Sequence, residues 1–73
     1  MNFLEFMSTQ IKRKDIIGDL AGDMMLDSKL FPSENLANYD IQQWRKRLNF
    51  KAWNNPTVLE AFETAVAEFK SVE

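Results

Sequence analysis

Four of the eleven carboxylates in this 73-residue chain, Asp15, Asp19, Asp23 and Asp27, recur at every fourth position. Six of the nine cations stand in two triplets, Lys12-Arg13-Lys14 and Arg45-Lys46-Arg47. Charged side chains in such regular arrays are the first candidates for a reactive or binding site. A carboxylate row could hold a metal ion, or serve as acid and base, or face a basic partner. Calcium binding calls for oxygens at alternate positions of a turning loop with a central glycine, and a four-residue step instead places the aspartates along one side of a helix. Acid–base work by two carboxylates requires an apolar pocket that drives their pKa values apart, and no such pocket is legible. Nucleophilic catalysis requires an activated side chain beside an oriented base. The chain has no histidine and no cysteine, and Ser8, Ser28, Ser33 and Ser71 stand in no recognisable catalytic setting. The expectation is a protein that is not an enzyme, with no cofactor, no metal and no small-molecule substrate.

Hydrophobic spacing shows which helices carry these charges. Asn2 reads as the N-cap of a first helix over 2–13, with Phe3, Phe6, Met7 and Ile11 on one face and the Lys12-Arg13-Lys14 triplet at its negative end. Asp15 reads as the cap of a second helix over 16–27 that buries Ile16, Ile17, Leu20, Ala21 and Met24. Pro32 cannot continue a helix and restricts Phe31 before it, and Ser33-Glu34-Asn35 is turn material that could start one short helical turn. A third helix is expected from Asn38 or Tyr39 to Leu48, with Ile41, Trp44 and Leu48 inward. The connection 49–54 is expected to pack down through Phe50 and Trp53. Asn55-Pro56, a cap followed by proline at the first helical position, opens a fourth helix to Ser71 whose seam is Leu59, Phe62, Val66 and Phe69. No segment alternates with period two, so the fold class is all-α: a compact bundle of four to five short helices in a single domain over 1–73. An apolar fraction of 45% suits such a globule. With no cysteine to staple it, its stability margin is thin.

Two glycines need a reason. Gly18 and Gly22 lie one turn apart inside the second helix, and each costs about 1 kcal/mol relative to alanine there. The expected reason is close approach of another helix or of the chain near Phe31.

Ile17-Gly18-Asp19-Leu20-Ala21-x-Asp23, then Asp27 and Phe31-Pro32, then Tyr39 and Ile41, then Leu59-x-x-Phe62-x-x-Ala65-x-x-x-Phe69 resembles the YozE-like family of small bacterial and phage proteins. The likeness runs from Phe3 to Phe69. It implies a fold similar to sterile-alpha-motif (SAM) domains and brings no catalytic residues. Trp44-Arg45-Lys46-Arg47 departs from the family pattern, which tends toward an aromatic followed by leucine and an acid.

What remains is binding. On the third helix Lys46 should point straight out, with Arg45 and Arg47 flanking the core face. Asp19, Asp23 and Asp27 would face a basic partner, and Arg45, Lys46 and Arg47 an acidic one. Trp53, in a connection, would be half exposed and useful to a partner. The expected function is a protein-interaction module that binds another protein or itself. If the two charged surfaces lie on different faces, they could join copies head to tail in a weak self-association. The alternative is a weak nucleic-acid binder that sets the basic triplet on phosphates, with Gln42 and Gln43 beside it. A net charge of −2 argues against the latter. No secretory segment or membrane span is read, and the expected location is the cytoplasm.

Overall fold

Asn2 opens the chain's first helix by a reciprocal bond. Its Oδ1 accepts from the Glu5 N–H at 2.9 Å, and its own N–H donates to the Glu5 carboxylate at 3.2 Å, which satisfies two donors that a helix start leaves unpaired. In the computed structural model, which describes residues 2–51 and 55–72, helix α1 spans Phe3–Ser8 and ends earlier than its hydrophobic spacing suggests. The Ser8 and Thr9 hydroxyls bond back to the carbonyls of Glu5 and Phe6, and the chain then tightens into i→i+3 turns. Hydroxyl side chains compete with the helical ladder in this way. Ile11, expected inward, is consequently exposed.

Asp15 caps helix α2, Ile16–Leu30, by accepting from the N–H groups of Ile17 and Gly18. The helix runs to the residue before Phe31, because Pro32 restricts only its immediate predecessor. Ile16, expected to be buried, is exposed. Two short 3₁₀ turns follow, Pro32–Glu34 and Leu36–Asn38, joined by Asn35 in the left-handed conformation at φ 57°. The first is the expected helical turn. The second ends at Asn38, one of the two positions where the third helix was expected to begin.

Helix α3 is Ile41–Lys51. Its start is fixed by Asp40, whose carboxylate accepts from the Gln43 N–H at 2.8 Å while its own N–H donates to the Gln43 side chain at 2.9 Å. The helix carries Asn49 and Phe50, expected in the connection. Phe50 does not pack down: it is 84% exposed. Asn55 caps α4, Pro56–Ser71, at the expected boundaries.

Among the described residues there are four α-helices, two 3₁₀ turns and no strand. The radius of gyration is 11.3 Å, about what a globular chain of this length should have. The core lies where α1 and α2 meet α4. Phe3 sets its ring edge-on against both Phe62 and Phe69, at 5.4 and 5.5 Å between centroids, and Phe6 meets Phe69 at 5.4 Å. Trp44 brings α3 into the same core, fully buried and edge-on to Tyr39. Three of the four expected seam residues of α4 (Phe62, Val66 and Phe69) are buried, and Leu59 packs partly buried beside them.

The glycine pair divides. A side chain on Gly18 would collide with the backbone carbonyl of Arg13, while a side chain on Gly22 would meet open space. Close approach therefore explains Gly18 only, and the approaching chain is the α1–α2 connection, not a second helix or the segment at Phe31.

Candidate interaction surface

The three arginines each join parts of the chain. Arg13, in the α1–α2 connection, donates to Glu68 of α4 at 2.7 Å and to the capping carboxylate of Asp15 at 2.7 Å. Arg45 of α3 makes a two-pronged bond to Glu63 of α4, at 2.7 and 2.9 Å, and its guanidinium lies 5.7 Å from the centre of the Phe62 ring. Arg47 reaches from α3 to Asp27 of α2 at 3.3 Å and to Glu34 of the first 3₁₀ turn at 3.1 Å. Its guanidinium also lies 5.4 Å from the centre of the Phe31 ring. The planar fork of arginine suits such multi-point contacts, whereas lysine is a mobile point charge. Lys12, Lys14, Lys29, Lys46 and Lys70 accordingly stay exposed.

Protonation follows this pairing. The hydrogen bond from Arg13 and the N–H groups of Gly18 and Ile17 hold the Asp15 carboxyl below its ordinary range, against partial desolvation. The hydrogen bond from Arg45 does the same for Glu63. Burial of Arg47 works against its charge, but the Asp27 hydrogen bond and the two nearby carboxylates outweigh this and raise its pKa.

The structure thus separates residues that the sequence grouped. In the aspartate row, Asp15 is a helix cap and Asp27 is tied to Arg47, while Asp19 and Asp23 are exposed on α2. In the basic triplet, Arg45 and Arg47 are held by carboxylates of the same chain, and Lys46 projects to solvent as expected. The two surfaces imagined as lying apart therefore meet at Asp27 and Arg47. Trp53 lies outside the described residues.

A feature that charge spacing did not disclose is a groove between the end of α2, the 3₁₀ turns and α3. It has a volume of about 530 Å³ and is lined by Phe31, Glu34, Tyr39, Gln43, Lys46, Arg47 and Phe50. Phe31 is 43% exposed, and Leu30 beside it is 61% exposed. The signal available in sequence was Phe50, which lies two residues past the last core position of α3, Leu48, and so turns away from the face that Trp44 and Leu48 bury.

Among the described residues, no group of three or more potential ligands is placed to hold a metal ion, and no helix is long and apolar enough to cross a membrane. Compared with protein-family models, curated proteins and solved structures, the chain matches none.

Proposed function

We propose that this chain is a small, non-enzymatic protein-interaction module that engages a protein partner through the groove at Phe31, Tyr39 and Phe50. The observation that carries this reading is Phe50, a large aromatic residue left 84% exposed beside a second exposed ring in a chain whose other aromatic side chains largely form the core. Exposed aromatic rings gathered in a groove with a polar rim form a surface that a partner can cover. Aromatic side chains also dominate the binding energy of protein interfaces. The resemblance to YozE-like proteins with a SAM-like fold, and with it a bacterial or phage origin and a cytoplasmic location, belongs to the same proposal.

The nucleic-acid alternative is weakened by the fate of the arginines. With Arg45 and Arg47 held by Glu63, Asp27 and Glu34, little of the triplet is left for phosphates. Head-to-tail self-association loses one of its charge pairs in the same way, since Asp27 and Arg47 already satisfy one another.

The test is affinity capture from the native host with the wild-type chain, a Phe50→Ser variant and a Glu60→Lys variant, whose site is exposed on α4 outside the groove. The expected result is a protein retained by wild type and Glu60→Lys and lost by Phe50→Ser. Equal retention by all three chains, or recovery of nucleic acid alone, would overturn the reading.

A further inference from the structure

Resting on the interaction reading above, we infer that the groove's partner is a peptide segment that places a carboxylate close to a large apolar side chain. The inference comes from the charges that line the groove. Arg47 forms one wall, but two carboxylates, Asp27 and Glu34, lie within 3.3 Å and more than offset its charge. Lys46 stands on the same helix between two arginines that are each held by a carboxylate, and it forms no ion pair among the described residues. Among the described residues the groove therefore offers the exposed ring of Phe50, the half-exposed ring of Phe31 and one cation with no ion pair, Lys46.

An apolar anchor against the rings excludes water from the contact, and a carboxylate beside that anchor meets Lys46. Gln43 adds a side-chain amide to the lining, able to donate to a carboxylate or a backbone carbonyl. A polyanion fits less well. Among the described lining residues a single unpaired lysine matches one carboxylate and not a row of phosphates, Glu34 lines the same groove, and the whole chain carries −2. A strongly basic segment would set its charge against Lys46. Like charges facing each other across an interface are a device for rejecting partners.

The experiment is selection of a random twelve-residue display library on the immobilised wild-type chain, on Lys46→Glu and on Phe50→Ser. An oligothymidine titration runs as a separate arm. Both substitutions are at exposed positions, and a thermal melt matching wild type confirms that each variant is folded. Wild type is expected to enrich peptides with Phe, Trp or Leu and an Asp or Glu within four residues. A peptide so selected should bind Lys46→Glu about two- to fivefold more weakly at low salt, as an exposed ion pair allows. Selection on Lys46→Glu should favour basic peptides, and Phe50→Ser should enrich none.

Enrichment that depends on Phe50 without acidic bias sinks this inference and leaves the interaction reading standing. Absence of any enrichment, or enrichment indifferent to both substitutions, sinks both. Preference for oligothymidine over every selected peptide also overturns it and assigns the groove to single-stranded nucleic acid.

Discussion

Arg47 and Asp27, twenty positions apart, meet across the interface of α2 and α3, with the arginine Nε 3.3 Å from the aspartate Oδ2. Both side chains are largely shielded from water, and the same guanidinium reaches Glu34 and lies over the Phe31 ring. One residue thereby ties together α2, α3 and the first 3₁₀ turn. Arg47→Gln is expected to destabilise the fold by about 1–3 kcal/mol, because it removes a charge-assisted hydrogen bond from a shielded carboxylate. Asp27→Asn in the same chain should recover part of that loss, since the two changes share one interaction. Urea unfolding of the two single variants and the double variant measures the coupling. A strictly additive cycle would show that the contact contributes nothing.

Gly18 and Gly22 should respond to alanine with opposite signs. At Gly18 the new methyl group meets the Arg13 carbonyl, so the α1–α2 connection must shift and stability falls. At Gly22 nothing stands in the way, and the better helix propensity of alanine should raise stability by about 0.5–1 kcal/mol. Thermal melts of the two variants decide it, and a loss at both positions would contradict the open space beside Gly22.

Trp44 is fully buried, yet its indole N–H has no hydrogen-bond partner among the described residues. Replacement by phenylalanine removes an unsatisfied donor together with some packing volume, and the two effects oppose one another. Trp44→Phe should therefore change stability by less than about 1 kcal/mol, while Trp44→Ala should cost about 3–5 kcal/mol. Chemical denaturation of both variants checks the contrast. A large loss in Trp44→Phe would mean that the indole N–H is satisfied after all.

Phe62 sits at the junction of α1, α3 and α4, touching Phe3 edge-on and lying beneath the Arg45 guanidinium. Phe62→Ala is expected to cost about 3–5 kcal/mol, most of what a domain of this size holds. Differential scanning calorimetry should show the cooperative transition lost or sharply lowered. A melting temperature within a few degrees of wild type would contradict the central place of Phe62 in the core.

Acid should destabilise the fold through Asp15 and Glu63. Both carboxyls titrate lower in the folded chain than in the unfolded one, held down chiefly by hydrogen bonds from Arg13 and Arg45. Their contribution is therefore complete above the ordinary carboxylate range, about pH 4. It is lost progressively as pH falls below that range through the folded values, where the unfolded state takes up protons first. A variant carrying Asp15→Asn and Glu63→Gln should have a flatter melting temperature between about pH 4.5 and 2. An unchanged slope in the double variant would place the acid sensitivity elsewhere.

The helical class, and the elements whose signals are local, can be read from the order of residues alone. Asn55-Pro56 and Asp15 mark helix starts where the caps form, and the spacing of Phe62, Val66 and Phe69 identifies the buried stripe of α4. The start of α3, expected at Asn38 or Tyr39, lies instead at Ile41, where the Asp40-x-x-Gln43 pair supplies the capping-box bonds. Three matters were decided only by the tertiary structure. Arg45 and Arg47 read as a basic surface until α4, α2 and the first 3₁₀ turn bring Glu63, Asp27 and Glu34 to them. Gly18 and Gly22 look alike until the Arg13 carbonyl arrives beside one of them. Phe50 reads as core because aromatic side chains usually bury. Helical spacing from Leu48 turns it off the buried face, and what leaves it 84% exposed is that no described segment packs over it. The physical reason is the same in each case. Caps and periodicity act within a few residues, whereas the pairing of a charge or the burial of a ring depends on which distant segment the fold brings against it.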